Sequence, residues 1–119
     1  GSEMCIRDRE SKDADDLLYL ANELEKAGSK FIVLECINEK VANKITNILS
    51  IPTIGIGSSK HCDGQVLVID DILNFNSKVK KPKFVKNFIN IEISISKAIN
   101  NFVRSVKKRK FPLSKHSYK

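Results

Sequence analysis

The spacing of apolar residues predicts that helices and strands alternate along the first half of the chain. Between residues 11 and 24, apolar side chains recur every three or four positions, and Gly28 follows, so we expect an amphipathic helix that ends near this glycine. Residues 31–34 (Phe-Ile-Val-Leu) are continuously apolar and bulky. Such a run is typical of a strand that is buried on both faces of a parallel sheet.

The same alternation continues to residue 71. Asn38 is placed to cap a second helix, whose apolar stripe lies within residues 41–49, and Pro52 lies beyond the end of that helix. Residues 53–56 predict a second strand, and residues 66–69 (Val-Leu-Val-Ile) predict a third. Strands that alternate with helices indicate βαβ units, so the predicted fold class is α/β with a parallel sheet.

The remaining segments give weaker patterns. Pro82 opens a predicted short helix that ends near Phe88, residues 91–108 predict a longer amphipathic helix, and residues 111–119 predict an irregular tail. Residues 1–10 show no clear period and begin with Gly-Ser, as cloning scars often do, so we leave them outside the fold as a leader or artefact. The predicted units are therefore residues 11–75, with three strands, and residues 76–119, a helical extension with a tail.

Composition limits the classes of protein to consider. The 119 residues suffice for one domain, and 21 Lys and Arg against 14 Asp and Glu give a net charge of +7. Much of the excess lies in residues 78–86 and 104–110, so the alternative interpretation is a non-catalytic basic module that binds nucleic acid or another polyanion. No aromatic platform accompanies these runs, so a solvated helix face is the simpler interpretation.

Cysteine usage and hydropathy indicate the setting of the protein. Cys5, Cys36 and Cys62 form no CxxC pair and leave an odd cysteine, which argues against a secreted disulfide framework and favours a reducing cytosol. No apolar stretch approaches the roughly 20 residues of a membrane-spanning helix, and no signal pattern opens the chain. We therefore expect a cytoplasmic protein with no membrane partner.

Candidate functional residues follow the predicted strands, because loops at the carboxyl ends of parallel strands face a shared crevice. The first strand offers Glu35, a carboxylate that directly follows four buried residues. We expect desolvation to raise its proton affinity, which suits a general base, although a salt bridge or a solvated strand end is the commoner role at such a position. The second strand offers Gly55, Gly57 and Ser58 as weak candidates for substrate binding.

No metal site is expected in this segment. His61, Cys62 and Asp63 are adjacent in one loop and do not easily converge on one ion. Asp70 and Asp71 follow the third predicted strand, where capping of the next helix is a better explanation than metal binding. The pair Gly55 and Gly57 lacks the third glycine of a dinucleotide fingerprint, so a tight turn explains it.

Several blocks, in order, resemble the ketopantoate hydroxymethyltransferase family from about residue 11 onward. The resemblance is carried by residues 33–36 (Val-Leu-Glu-Cys), 51–57 (Ile-Pro-Thr-Ile-Gly-Ile-Gly), 63–68 (Asp-Gly-Gln-Val-Leu-Val), 82–88 (Pro-Lys-Phe-Val-Lys-Asn-Phe), 111–112 (Phe-Pro) and 116–117 (His-Ser). The blocks at 63–65 and 82–84 argue against other keto-acid barrels, such as lyases or mutases.

The resemblance implies a (β/α)8 barrel and a one-carbon transfer in pantothenate and coenzyme A biosynthesis. Such proteins transfer a hydroxymethyl group from 5,10-methylenetetrahydrofolate to 3-methyl-2-oxobutanoate, which gives 2-dehydropantoate. They use a magnesium ion to polarise the keto acid, and they assemble as homo-oligomers. Glu35 matches the proton acceptor of the family.

The resemblance also implies that this chain corresponds to the C-terminal segment of such an enzyme, with the last three strands of the barrel. The family's magnesium-binding acidic residues and its keto-acid-binding Ser and Lys come from earlier strands, which have no counterpart here. Ser58 and Ser59 stand where the family usually has Ala-Gly. We therefore expect the chain to be inactive by itself.

Overall fold

Four parallel strands and four helices make up the described part of the chain. The computed structural model describes residues 3–7, 14–75, 78, 80–90 and 93–118. The strands form one parallel sheet in the order β1-β2-β3-β4, so the predicted α/β class and parallel sheet are confirmed. The elements are β1 (Glu3–Arg7), α1 (Ala14–Lys26), β2 (Phe31–Glu35), α2 (Glu39–Ile48), β3 (Thr53–Ile56), β4 (Gly64–Gln65), α3 (Ile69–Ile72) and α4 (Ile95–Lys107), followed by a 3-10 turn at Ser114–His116.

Helices α1 and α2 cover one face of the sheet and form the first core. Ile32 and Leu34 of β2 are fully buried, and they pack with residues of β1, both helices and the loops beside them. These partners are Ile6, Leu17, Ala21, Ile37, Ala42, Ile45, Leu49 and Cys62. At about 1.5–3 kcal/mol for each large apolar side chain, this burial is the main source of stability in the first half of the chain.

The opposite face of the sheet is only partly covered. Strand side chains alternate between faces, so Phe31, Val33 and Glu35 point away from the helices, and all three are half-buried. In β3, Ile54 and Ile56 occupy this second face and are also half-buried. The prediction that residues 31–34 are buried on both faces is therefore correct only for the helix side.

Strand β1 corrects the prediction for the start of the chain. Residues Glu3–Arg7 pair in parallel with Phe31–Glu35, and Ile6 is buried in the first core. Leaving residues 1–10 outside the fold was therefore wrong for this strand, and the sheet has four strands instead of three. The strand was missed because its residues mix polar and apolar types over only five positions. The rest of the leader lies outside the described residues.

The third predicted strand is also wrong. Strand β4 covers only Gly64–Gln65, and α3 begins at Ile69, inside the apolar run that was predicted to be a strand. Val66 and Val68 are 44% and 54% exposed, so this run is not the buried interior of a sheet. The N-cap of α3 is Val68, which makes no side-chain cap bond. The capping role predicted for the two aspartates is therefore wrong, since both lie within the first helical turn.

A second core forms between α3, α4 and the C-terminal segment. Phe88 and Phe102 pack edge-on against each other, and both contact Phe111 in the same way. Residues 82–88 do not form the predicted helix; they contain a single turn, in which the Val85 amide donates to the carbonyl of Pro82 (3.1 Å), and Phe84 and Phe88 are buried. The Phe88 amide donates to the carbonyl of Ile72 (3.0 Å), which replaces a helical hydrogen bond.

Helix α4 is shorter than predicted and is only half covered. It begins after Ser94, whose side chain accepts a hydrogen bond from the Lys97 amide. Residues 91 and 92, the start of the predicted helix, lie outside the described residues. Ala98, Phe102 and Val106 pack in the second core, whereas Ile95, Ile99 and Val103 are exposed.

The described tail, residues 111–118, is irregular as predicted apart from one short turn, but it is packed against the rest of the chain. Phe111, Pro112, His116 and Ser117 are buried, and Ser114–His116 forms a 3-10 turn. Beyond it, Tyr118 forms an isolated parallel bridge with Asn38, just before α2. The tail therefore returns to the loop that follows β2.

Gly57 brings the loop after β3 against the second core. Its φ angle is +66°, and a Cβ built on it would lie 2.9 Å from the Cβ and Cδ1 atoms of Phe84. Gly28, which ends α1, has φ of +98° but no atom within 4 Å of such a Cβ. Both positions favour glycine by conformation, and only Gly57 also requires it for packing.

Replacement of a buried side chain of α2 should be far more costly than replacement of an exposed one. We expect Ile45→Ala to lower the free energy of unfolding by about 2–5 kcal/mol, because it leaves a cavity in the first core. Ile48→Ala, one turn later on a residue that is 50% exposed, should change it by about 0.5 kcal/mol or less. Urea denaturation followed by circular dichroism measures both, and equal losses would contradict the placement of α2.

The two left-handed glycines give a second matched pair. Both Gly57→Ala and Gly28→Ala should cost about 1–2 kcal/mol from backbone strain. Gly57→Ala should cost more, since its methyl group would collide with Phe84. The same urea titration tests this ranking, and a greater loss for Gly28→Ala would show that Phe84 does not pack against Gly57.

His116 should make stability depend on pH. Burial lowers the pKa of His116, and the positive charges of Lys115 and Lys86 lower it further. The unfolded chain then binds more protons than the folded chain just below the ordinary histidine pKa of about 6.5. Stability should therefore fall as pH drops from about 6.5 through the lowered pKa. This slope should be lost in His116→Gln and retained in His61→Gln, a control at an exposed histidine, when urea midpoints are measured across this pH range.

Candidate active site

Glu35 is the last residue of β2 and lies at the carboxyl edge of the sheet. Its Cα pairs with that of Arg7 in β1 and that of Ile56 in β3. The side chain projects from the half-covered face, away from α1 and α2, and is itself half-buried. Catalytic groups of parallel α/β folds gather at this edge, so Glu35 lies where a general base is expected.

The chain turns sharply directly after Glu35. Cys36 adopts a left-handed conformation with φ of 56°, and its amide donates to the carbonyl of Ile56 (2.8 Å). Cys36 and Ile37 are both fully buried, but Cys36 belongs to the second core and Ile37 to the first. The turn is therefore anchored on both sides of the sheet, which restricts the backbone that carries Glu35.

Ser58 crosses from the loop after β3 to this turn. Its side chain has no exposure, and its hydroxyl donates to the carbonyl of Leu34 (2.6 Å) and accepts from the amide of Ile37 (3.1 Å). The structure thus gives this hydroxyl two backbone partners. Contact between Ser58 and a substrate stays a prediction, as it does for the two glycines of β3 and its loop.

The glycines of this region allow close packing. A Cβ on Gly55 would lie 3.0 Å from Oε1 of Gln65 and 3.1 Å from Sγ of Cys62, on the helix side of the sheet. Gly57 is packed against Phe84, as described above. The tight turn predicted for the two glycines holds only for Gly57, whose φ is +66°, because Gly55 lies within β3.

The possible metal ligands after β3 point in different directions. His61 is exposed and Cys62 is buried, and burial raises the pKa of the Cys62 thiol. Asp63 turns back to β3, where its Oδ2 accepts from the amide of Thr53 (2.8 Å). Within the described ranges, no three His, Cys, Asp or Glu side chains come together as a metal site would require. The residues described here therefore do not fit a magnesium site.

Ser59 ties the same loop to α2. Its hydroxyl donates to Oδ1 of Asn43 and accepts from the amide of His61 (3.0 Å). Its carbonyl accepts from the side-chain amide of Gln65 (2.6 Å). Ser59 is fully buried, but none of these partners belongs to the turn after Glu35.

The C-terminal tail is part of this region, and the sequence pattern did not reveal it. The Glu39 amide donates to the carbonyl of Tyr118 (2.9 Å), and Asn38 forms a bridge with the same residue. Asn38 also caps α2, since Oδ1 accepts from the amide of Lys40 (3.0 Å), as predicted. The sequence signals for the tail were its Phe-Pro and His-Ser pairs among the family-like blocks.

Several of the basic side chains contact the protein itself. Nζ of Lys83 lies 5.6 Å from the ring centre of Tyr118, and Nζ of Lys86 lies 4.9 Å from that of Phe88. Arg109 donates to the carbonyl of Lys60 (3.0 Å). These contacts give part of the basic charge a role within the fold, and the polyanion alternative stays a prediction.

In the described part of the chain, no helix has the length and hydropathy needed to cross a membrane.

Comparison with known proteins agrees with the sequence blocks. A family model described as ketopantoate hydroxymethyltransferase matches residues 2–114, which include β1. The 3-methyl-2-oxobutanoate hydroxymethyltransferase of Clostridium botulinum (strain Langeland) is 47% identical over 114 residues, which are 96% of this chain and 41% of that protein. The protein of the same name from Buchnera aphidicola (subsp. Schizaphis graminum) is 48% identical over 113 residues, covering 95% of this chain and 43% of its own length.

A third relative gives the same result at slightly lower identity. The 3-methyl-2-oxobutanoate hydroxymethyltransferase of Wigglesworthia glossinidia brevipalpis is 44% identical over 113 residues. The chain spans about two fifths of the length of these relatives. Its parallel sheet and helices are thus part of a (β/α)8 barrel, as predicted. On the strength of the match across residues 2–114, the chain belongs to the ketopantoate hydroxymethyltransferase family.

Proposed function

We propose that this chain supplies the general base of a hydroxymethyl transfer to 3-methyl-2-oxobutanoate. The observation that carries the proposal is the position of Glu35, at the carboxyl edge of β2 and on the face opposite the helix-side core. In a barrel of parallel strands this face is the interior, and this edge is where catalytic groups gather. The relatives bear the name of this activity, which supports the proposal for a chain that matches them across β2.

The proposed chemistry begins with proton transfer to Glu35. The carboxylate takes the proton from C3 of the keto acid, and the electron pair of the C–H bond passes into an enolate with the neighbouring carbonyl. The enolate carbon then forms a bond to the one-carbon unit of 5,10-methylenetetrahydrofolate, and both C–N bonds of that unit break. Water supplies the hydroxyl oxygen, and the protons from water and from Glu35 pass to the two folate nitrogens, which gives 2-dehydropantoate and tetrahydrofolate. A general base in such a step contributes about 10²–10⁴-fold in rate when it lies within hydrogen-bonding distance of its proton.

The other parts of the proposed site lie on strands that this chain does not contain. The proposal assigns the magnesium ligands and the residues that hold the keto acid to the earlier strands of the barrel, since the described residues offer no cluster for the ion. A bound magnesium ion supplies polarisation of the keto-acid carbonyl. The proposal also includes a cytoplasmic, homo-oligomeric enzyme of pantothenate biosynthesis.

A hybrid enzyme tests the role of Glu35. In this hybrid, the matching 114-residue segment of the Clostridium botulinum relative is replaced by that of this chain. We expect the hybrid to exchange the C3 proton of 3-methyl-2-oxobutanoate with deuterated water, as measured by proton NMR. Glu35→Gln should slow this exchange by about 10²–10⁴-fold, because the amide cannot accept the proton.

Glu39→Gln is the matched control for this test. Glu39 is the nearest other carboxylate along the chain, in the first turn of α2, and the same charge is removed. Exchange should stay within about twofold of the unchanged hybrid, because no catalytic role is assigned to Glu39, which is half-buried in the first turn of α2. Rapid exchange in Glu35→Gln would overturn the proposed role.

A further inference from the structure

We propose that residues 81–87, here called the lysine loop, bind the glutamate tail of the folate co-substrate. The inference rests on the proposed function, because it assigns a subsite to the co-substrate of that reaction. Folates carry one or more glutamate units on the p-aminobenzoyl group, and their carboxylates are ionised at neutral pH. The loop contains three lysines, and no acidic residue occurs between positions 71 and 92: the lysines are Lys81, Lys83 and Lys86.

Hydrogen bonds within the lysine loop hold it in a compact shape. The Val85 amide donates to the carbonyl of Pro82 (3.1 Å), and Nζ of Lys81 donates to Oδ1 of Asn87 (2.8 Å). Nζ of Lys81 also donates to Oδ1 of Asn74, which lies after α3. An ammonium group has three N–H donors, so Lys81 keeps one donor for a ligand. The three lysines therefore belong to one closed turn of the chain.

Two contacts place the lysine loop at the carboxyl edge of the sheet. Phe84 packs against Gly57, in the loop that follows β3. Nζ of Lys83 lies 5.6 Å from the ring centre of Tyr118, whose carbonyl accepts a hydrogen bond from the first amide of α2. Because α2 begins four residues after Glu35, the loop borders the same edge as the candidate base. The tail of a co-substrate must leave the site past this edge.

The ammonium groups of the loop are held by uncharged partners. Lys83 contacts the ring of Tyr118, Nζ of Lys86 lies 4.9 Å from the ring centre of Phe88, and Lys81 contacts two side-chain amides. Within the described residues, none of the three lysines forms an ion pair with a carboxylate. Oriented positive charges that are not neutralised by the protein attract anions. The loop therefore offers carboxylates a preformed set of donors.

A flexible polycarboxylate fits this loop better than a nucleic acid does. Proteins that bind single strands combine a basic groove with open aromatic rings on which bases stack. The rings that contact these lysines are not open in this way, because Phe88 is buried and Tyr118 is half-buried beside Lys83. Lys83 and Lys86 also lie in the block of residues 82–88 by which the chain resembles its family. A role in the shared reaction agrees with that position.

The hybrid enzyme tests the subsite with co-substrates that differ in their tails. KM is measured for triglutamyl 5,10-methylenetetrahydrofolate and for 5,10-methylenetetrahydropteroate, which has no glutamate. We expect the double variant Lys83→Gln/Lys86→Gln to raise KM for the triglutamyl form about tenfold, because exposed ion pairs each contribute up to about fivefold. KM for the pteroate form should change less than about twofold, and added salt should reduce the effect on the triglutamyl form. Unfolding would affect both co-substrates alike.

Lys107→Gln/Lys108→Gln is the matched control. These exposed lysines lie at the end of α4, in the other basic run, and their replacement removes the same total charge. KM for the triglutamyl form should stay within about twofold of the unchanged hybrid, because distant exposed charges are screened. Equal increases in KM for the two double variants would show a general charge effect and would overturn the subsite.

The 119-residue chain gives a second readout that needs no activity. Titration with γ-linked triglutamate, followed by ¹H–¹⁵N NMR, should shift the amide signals of residues 81–88. These shifts should be lost in Lys83→Gln/Lys86→Gln and retained in Lys107→Gln/Lys108→Gln. A short oligothymidylate is titrated in parallel. If it shifts these signals and triglutamate does not, the loop binds nucleic acid and the tail subsite is overturned.

Proton exchange separates this inference from the proposed function, because exchange at C3 of the keto acid involves no folate. If Glu35→Gln leaves exchange rapid, the proposed function fails, whatever the lysine variants show. If Glu35→Gln slows exchange while Lys83→Gln/Lys86→Gln leaves KM for the triglutamyl form unchanged, Glu35 is the base and the tail subsite is overturned. Slower exchange in the lysine variant would show that these lysines act on the keto acid, which also overturns the subsite.

Discussion

The packing of α1 and α2 against one face of the parallel sheet is the constraint on which the structure depends. Ile32 and Leu34 are fully buried there. Because side chains alternate along β2, the remaining residues of the strand point to the opposite face. Because these two residues face the helices, Glu35 must face the opposite side. The position of the candidate base is thus a consequence of core packing, and a shift of one residue in register would turn the carboxylate into the core.

Polar groups hold the carboxyl edge of the sheet together with the buried residues Cys36 and Ile37. Ser58 and Ser59 are buried serines that tie the loop after β3 to the turn after β2 and to α2, respectively. The tail adds a third connection, from the Tyr118 carbonyl to the amide of Glu39. Hydrogen bonds between neighbouring loops supply the rigidity there.

The sequence predicted those elements whose pattern is set by local physics. Helices α1 and α2, strands β2 and β3 and the Asn38 cap follow from strong periodicity and a capping residue, and the blocks around Glu35 led to the family. Strand β1 was missed because its stability comes from pairing with β2, which a five-residue pattern does not reveal. The run at residues 66–69 was misassigned because apolar character alone does not distinguish a strand from an exposed loop that leads into a helix.

The sequence predicted the place of Glu35 in the sheet and missed the contacts around it, and the role of Glu35 as a general base stays a prediction. Glu35 follows a strand directly, so its location at the carboxyl edge could be predicted from the sequence. The bonds from Ser58 to Leu34 and Ile37 join residues more than 20 positions apart, and no local pattern reports such a contact. The short helix predicted after Pro82 failed for a related reason, since the Phe88 amide bonds to Ile72 instead of to its own segment.

Strand β1 is the outermost strand of the described sheet, and this position affects how the chain behaves at high concentration. In the described sheet it pairs with β2 on one side only. The backbone donors and acceptors along its other edge are therefore available for pairing with another strand. Beside it lies a sheet face on which Phe31, Val33, Ile54 and Ile56 are only half covered. An open strand edge next to partly bare aliphatic and aromatic surface favours strand-to-strand association between copies. For this chain in isolation, self-association at high concentration therefore matters as much as folding.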